Sequence, residues 1–278
     1  MTHAQTQQIA GRLDGMIVAI TGAAQGIGFA MAQRLAADGA RIAIADIDAD
    51  RAEQAAARLR ADGHDAIGLS VNVVEREQCE AMVSHIVEHY GRLDMMVCNA
   101  GVVQVKRFQD IEAEDWDPIF AVNVKGVFFT VQAAAKQMQK QTALGDGRPK
   151  GKIVTLSSIA GRYGAGPMAP IIPHYRASKA AVISITQSAA YTFAPDITVN
   201  AICPGLVDTD MWKKIDQQWS DIEQWESGQA WRTRVAAVPL GRAQTPGDVA
   251  GLAAFLASPD ADYMTGQSLN IEGGLTMS

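Results

Sequence analysis

Short apolar runs alternate with longer stretches of helical period along the whole chain, and this alternation limits the fold more than any single motif. Runs such as IVAI (17–20) and IVTL (153–156) are continuously apolar but for Thr155, as strands covered on both faces should be. The pattern predicts strands at Met16–Thr21, Arg41–Ala45, Ala66–Val71, Met95–Cys98, Lys152–Leu156, Thr198–Ile202 and Ser268–Ile271. Helices are expected between them, at Ile27–Asp38, Asp50–Ala61, Arg76–Tyr90, Asp115–Gln141, His174–Phe193 and Pro246–Leu256. Such an order implies an α/β protein with a parallel sheet flanked by helices. No repeat or linker divides the 278 residues, so one domain is expected over 1–278, with a flexible tail at 1–12.

The hydrophobic fraction of 48% is ample for a core, and a net charge of -6 without a basic patch argues against nucleic acid. Apolar runs are strand-length, short of the roughly 20 residues that span a bilayer, and the polar opening MTHAQTQQIAGRLDG does not resemble a signal peptide. No membrane partner is expected. Cys79, Cys98 and Cys203 are odd in number and far apart, which predicts a reduced, cytoplasmic protein without disulfides. HIVEH (His85–His89) matches a zinc-peptidase pattern, but no third ligand is evident. It reads as the solvated face of a helix, and no metal is expected.

Two segments break the alternation. Residues 142–150 form a loop rich in glycine, proline and charge. Residues 208–239 are an insert holding Trp212, Trp219, Trp225 and Trp231, four of the five tryptophans. Their spacing could set them along one face of helical pieces. Because the insert follows a strand end, where α/β sheets bind ligands, it is expected to be a lid over a site.

The first strand runs into TGAAQGIG, Thr21 to Gly28. Gly22, Gly26 and Gly28 allow a tight turn and close approach of a ligand, and the following helix offers free N–H groups to a pyrophosphate. The spacing G-x-x-x-G-x-G differs from the ordinary dinucleotide fingerprint. The second strand ends at Asp46, eighteen residues after Gly28. A carboxylate there accepts hydrogen bonds from ribose hydroxyls and repels a 2′-phosphate. With Ile47 and Asp48 next, and no Lys or Arg in the turn, NAD is expected rather than NADP.

Tyr175 and Lys179 stand four apart in YRASK, one turn along a helix face. An ammonium there would lower a phenol pKa from its ordinary ~10 and make Tyr175 a general acid/base. Tyr163 has Pro167 rather than a lysine at that spacing and reads as a packing or pocket residue. Pro167, Pro170 and Pro173, three of the ten prolines, stiffen the approach to Tyr175. This segment is expected to form one wall of a substrate pocket, with His174 or Arg162 reaching a substrate hydroxyl.

TGAAQGIG, the CNAG of Cys98–Gly101, Asn123 in NVKG, the paired serines of IVTLSS, YRASK and PGLVDT occur in order over nearly the whole chain. Together they resemble the short-chain dehydrogenase/reductase family. The resemblance implies a Rossmann-type three-layer α/β/α sandwich of about seven parallel strands, in the order 3-2-1-4-5-6-7. It implies a catalytic group of Asn123, Ser158, Tyr175 and Lys179. Tyr175 would pass the proton and Ser158 would hydrogen-bond the substrate oxygen. Lys179 would hold the nicotinamide ribose, and Asn123 would interrupt its helix and hold a relay water. Cofactor contacts are implied for Gly22, Gln25, Gly26, Ile27 and Gly28; for Asp46 and Ile47; and for Asn72 and Val73. They are also implied for Asn99, Ala100 and Gly101; for Tyr175 and Lys179; and for Pro204, Gly205, Val207 and Thr209.

Three features depart from the family pattern. Cys98 replaces the more usual asparagine, Asn72 the usual aspartate beside adenine, and seventeen residues separate Ser158 from Tyr175, more than in most relatives. The C-terminal part resembles the sorbitol and butanediol/acetoin dehydrogenase branch. This implies a polyol substrate, with a vicinal diol or a hydrophobic secondary alcohol as alternatives. Gln104, Lys106, Arg162, His174 and Asp208 are the polar candidates for substrate contact. Met211 and Trp212 pull towards an apolar pocket. The intact Ser, Tyr and Lys speak against a catalytically silent NAD-binding protein, and the family implies a homotetramer.

Overall fold

The computed structural model describes residues 12–163 and 166–276, so the expected tail at 1–12 lies almost wholly outside the described residues. The strands are β1 (Ile17–Thr21), β2 (Arg41–Asp46), β3 (Ala66–Ser70), β4 (Met95–Cys98), β5 (Gly151–Leu156), β6 (Ile197–Pro204) and β7 (Ser268–Ile271). All pair in parallel, in the order β3-β2-β1-β4-β5-β6-β7. The helices are α1 (Gly26–Ala37), α2 (Ala49–Ala61), α3 (Arg76–Tyr90), α4 (Ala113–Phe120), α5 (Val127–Met138), α6 (Pro173–Phe193), α7 (Asp210–Glu223), α8 (Gln229–Ala236) and α9 (Pro246–Ala257).

The sheet is apolar on both faces because each face meets its own layer of helices. Val18 and Ile20 of β1 join a core with α1, α2 and α9. Ile17 and Ala19 face the opposite way, into a core with α3, α5 and α6. Burial of this kind contributes about 25 cal/mol per Å² of apolar surface. A third cluster lies over the C-terminal ends of β5 and β6, where Trp212, Ile215 and Trp219 of α7 meet Met168, Ile171 and Leu206.

The helix expected at Asp115–Gln141 is three pieces. Between α4 and α5 the backbone widens into a π-helical turn at Ala121–Gly126, which contains Asn123. Turns of this kind often occur at functional sites. The combined run Ala113–Met138 is long and apolar enough to cross a membrane by length and composition, contrary to the expectation that no segment is. Half of it is buried in the protein, where α5 supplies Val127, Val131 and Met138 to the core. The four tryptophans of the insert do not form one stripe. Trp212 meets Trp231 at 5.2 Å and Trp219 meets Trp225 at 5.6 Å, because the insert folds back on itself as α7 and α8.

Candidate active site

The order reversal between β1 and β4 opens a crevice at the carboxyl ends of the strands, where ligands bind in such sheets. A cleft of about 430 Å³ lies there, lined from the glycine turn through β2, β4, β5 and α6 to the insert. All eighteen cofactor-contact candidates line it: Gly22, Gln25, Gly26, Ile27, Gly28, Asp46, Ile47, Asn72, Val73, Asn99, Ala100, Gly101, Tyr175, Lys179, Pro204, Gly205, Val207 and Thr209.

The narrow half is built by backbone. Gly22 has φ of 62°, and a Cβ there would lie 2.8 Å from the Ala100 Cα. A Cβ on Gly28 would lie 2.6 Å from both the Asn99 Nδ2 and the Gly22 carbonyl oxygen. Asn99 locks the turn by donating to the Thr21 and Gly22 carbonyls, each at 2.8 Å. At the N-terminus of α1, Gln25 makes no side-chain cap and no acidic residue occupies the first turn. The free N–H groups there remain available to an anion. By contrast, α9 closes its own N-terminus with a Thr245–Asp248 capping box. A glycine cradle next to an uncapped helix end suits a dinucleotide pyrophosphate.

Asp46 closes this half at the tip of β2. Its carboxylate accepts from the Ala24 and Asp48 N–H groups at 3.2 and 3.3 Å. Arg51, not singled out from the sequence, reaches Gln25 Oε1 at 3.4 Å. It is partly neutralised by Asp48, also at 3.4 Å.

At the inner end, β5 and α6 bring Ser158, Tyr175 and Lys179 together. The Ser158 side chain lies beside Tyr175, where it favours the phenolate, and its hydroxyl accepts from the Ala160 N–H at 3.1 Å. The neighbouring Ser157 instead donates to the Lys179 carbonyl at 2.7 Å and ties β5 to α6. Lys179 Nζ donates to the Leu156 carbonyl at 2.8 Å and lies 5.7 Å from the Tyr175 ring centre. Asn123 is fully buried: its amide clamps the Val102 backbone at 2.8 and 2.9 Å and donates to Ser178 Oγ at 3.0 Å.

The electrostatics differ from the expectation that Lys179 depresses the tyrosine. Burial pushes Tyr175 up to about 12, against the Ser158 side chain that favours phenolate. Burial pushes Lys179 down to about 8. Desolvation disfavours both charged forms and dominates here, because the ammonium faces a carbonyl and the tyrosine ring rather than the phenolic oxygen.

The polar substrate candidates divide from the apolar ones. Met211 and Trp212 line the cleft, as do Tyr163, Pro167 and Met168 of the proline-rich segment. Arg162 does not: its guanidinium turns to the Ser268 carbonyl and to Asn270 Oδ1. His174 is fully buried and does not line the cleft, with Nε2 3.2 Å from Gln104 Oε1. Gln104 donates to Asp115 at 2.7 Å, and Lys106 pairs with the same carboxylate. These residues form a polar bracket between α4 and α6 that engages Gln104, Lys106 and one nitrogen of His174, while His174 Nδ1 is buried without a partner among the described residues. Asp208 is exposed and its N–H joins the Gln244 carbonyl. Arg176 and Arg234 do line the cleft. Arg176 follows Tyr175 on the helix, which was the available sequence signal. Arg234 carried none.

A family model described as Enoyl-(Acyl carrier protein) reductase matches residues 22–276. A sorbitol dehydrogenase of Cereibacter sphaeroides is 39% identical over 268 residues, 96% of this chain and 100% of the relative. A galactitol 2-dehydrogenase of Agrobacterium fabrum matches at the same identity and coverage. A diacetyl reductase [(S)-acetoin forming] of Staphylococcus epidermidis is 40% identical over 92% of this chain and 96% of its own. The crystal structure of a short-chain type dehydrogenase/reductase from Mycobacterium marinum superposes with a TM-score of 0.83 at 33% identity, covering 96% of this chain and 97% of that one. With its glycine turn, its Ser–Tyr–Lys group and its sheet order, the chain is an oxidoreductase belonging to the short-chain dehydrogenase/reductase family.

Proposed function

We propose that the protein interconverts a secondary alcohol and a ketone with NAD, acting on a polyol of the sorbitol type. The observation that carries the reaction class is the grouping of Ser158, Tyr175 and Lys179 at the inner end of the cleft. The nicotinamide, when bound, accepts or supplies the hydride. Tyr175 takes the proton from the alcohol oxygen, or returns it to the ketone oxygen. Ser158 hydrogen-bonds that oxygen and holds it at the phenol. Lys179, its Nζ fixed on the Leu156 carbonyl, holds the nicotinamide ribose. Asn123 anchors the π turn and holds the water that continues the proton path.

NAD is favoured over NADP because Asp46 presents a carboxylate at the end of β2, and Arg51, which reaches Gln25, is engaged by Asp48. The polyol reading is supported by likeness to the sorbitol and galactitol dehydrogenases over almost the full chain. A vicinal diol or acetoin is the second reading. It is favoured by the apolar Met168, Trp212 and Ile215 in the wide half and by likeness to the diacetyl reductase. A homotetramer is also proposed, supported by the exposed Phe128 on α5, Tyr191 on α6 and Tyr263 before β7.

The test is a coupled screen of polyols, diols and secondary alcohols with NAD and NADP, followed by NADH-driven reduction of the matching ketones. We expect turnover with NAD, at least ~10-fold less efficiency with NADP, and loss of turnover by a factor of ~100 or more in Tyr175→Phe with NAD binding retained. Equal efficiency with both cofactors would remove the Asp46 argument. Undiminished turnover in Tyr175→Phe would remove the mechanism.

A further inference from the structure

Two arginines in the wide half of the cleft take no part in the proton path. Arg176 lies beside Tyr175 on α6, and Arg234 lies in the last turn of α8; both face the cavity. Arg176 Nη2 and Arg234 Nε are buried and have no hydrogen-bond partner among the described residues. Burial is the sole cause that pushes both guanidinium groups below their ordinary pKa, with no carboxylate near enough to offset it. Both residues are half-buried, and a guanidinium nitrogen shielded from water without an acceptor is costly to keep.

Elsewhere a carboxylate meets two sheltered cations. Arg148 and Lys152 meet Asp262 at 2.6 and 2.5 Å. The cleft itself offers the two arginines nothing comparable. Its carboxylates are Asp46 and Asp210. Asp46 lies at the β2 end, and Asp210 is held by Lys213 at 2.8 Å. The glycine turn and α1 already provide for a pyrophosphate with backbone N–H groups. The same cleft is also lined by the apolar Met168, Trp212 and Ile215. In such surroundings a charge-assisted, bidentate contact is strong and selective.

We propose that the natural substrate carries an anionic group, a carboxylate or a phosphate monoester, that Arg176 and Arg234 receive while Tyr175 addresses its secondary alcohol. This rests on the alcohol–ketone reading above and adds a charged substituent to it. An uncharged polyol or diol then fills the same site while leaving both guanidinium groups unpaired.

The test uses the Tyr175→Phe protein saturated with NAD, so that binding is read without turnover. Calorimetry compares sorbitol with gluconate and with sorbitol 6-phosphate, and 2,3-butanediol with 2,3-dihydroxybutanoate. The expected result is at least ~10-fold tighter binding of a charged probe than of its neutral counterpart. Gluconate and the phosphate ester distinguish the two anions. Arg234→Gln or Arg176→Gln in the same background should erase that preference, and Arg234→Lys should retain part of it. NAD affinity and melting temperature, measured on each variant, separate a substrate contact from a cofactor contact or a folding defect. Equal binding or no binding of charged and neutral probes overturns the proposal. So does a variant that keeps the preference, or one that loses NAD affinity in step with it. Wild-type turnover of alcohols is scored separately: charge preference can fail while turnover persists, and turnover can fail while anion binding persists.

Discussion

The two halves of the cleft are built by different means. The narrow half is backbone: a glycine turn, an uncapped helix end and the Asn99 lock. The wide half is side chain: two folded-back helices and their connection, whose tryptophans pair in one cluster with Met168 and Leu206. Backbone geometry tolerates no added atom but is blind to most side-chain changes. A side-chain wall can be re-lined while the fold stays intact. Cofactor binding is therefore expected to be the invariant part of this molecule, and substrate choice the adjustable part.

The strongest way to break that contrast is Gly28→Ala. One methyl group would collide with Asn99 and the Gly22 carbonyl, so NAD affinity should fall by ~10-fold or more. Stability should fall by about 1–3 kcal/mol, the usual cost of forcing an atom into close packing. Titration of NADH fluorescence together with a denaturant melt checks both, and unchanged affinity would show that the turn can relax.

Trp212→Ala is the complementary change in the wide half. Trp212 is nearly buried against Trp231, and truncating it should cost the insert about 3–5 kcal/mol of packing. Substrate KM should rise by ~10-fold, while NAD affinity stays within about twofold. Equal damage to both constants would mean that the halves are mechanically coupled.

The smallest effect lies at their junction. Lys179 has its folded pKa pushed down to about 8 from 10.5. Between those values the unfolded chain holds a proton that the folded chain has released, so unfolding free energy rises with pH through that window. Tyr175, pushed up to about 12, acts in the opposite sense only above about 10. In cofactor-free protein, wild type should gain stability relative to Lys179→Met between pH 8 and 10. Urea midpoints that run parallel across this range would contradict the burial effect.

Much of this was legible before the structure. Each strand of the sheet appears as an apolar run, and Tyr175 and Lys179 declare themselves by helical spacing, because both signals are local. The glycine turn is legible for the same reason, since a methyl group's absence at Gly22 and Gly28 can be read directly from the letters. The insert was visible as a lid candidate from its position and its tryptophans, but their pairing was not. Trp212 meets Trp231 only because residues 224–228 reverse the chain between α7 and α8.

The residues misjudged from sequence were long polar side chains. His174 and Arg162 flank the reactive segment, yet one turns inward to Gln104 and the other outward to Ser268. Arg176, inside YRASK but not singled out there, and Arg234, without any motif, reach the cleft. A side chain of four or five rotatable bonds goes where an acceptor is available, and that depends on elements distant in the chain. The letters alone thus gave away the sheet, the glycine turn and the Tyr175–Lys179 pair, all set by short-range spacing and sterics. Only the packing of α6, α7 and α8 decided which side chains line the substrate half, because long-range contacts determine whether a polar group is satisfied inside the protein or left facing the ligand.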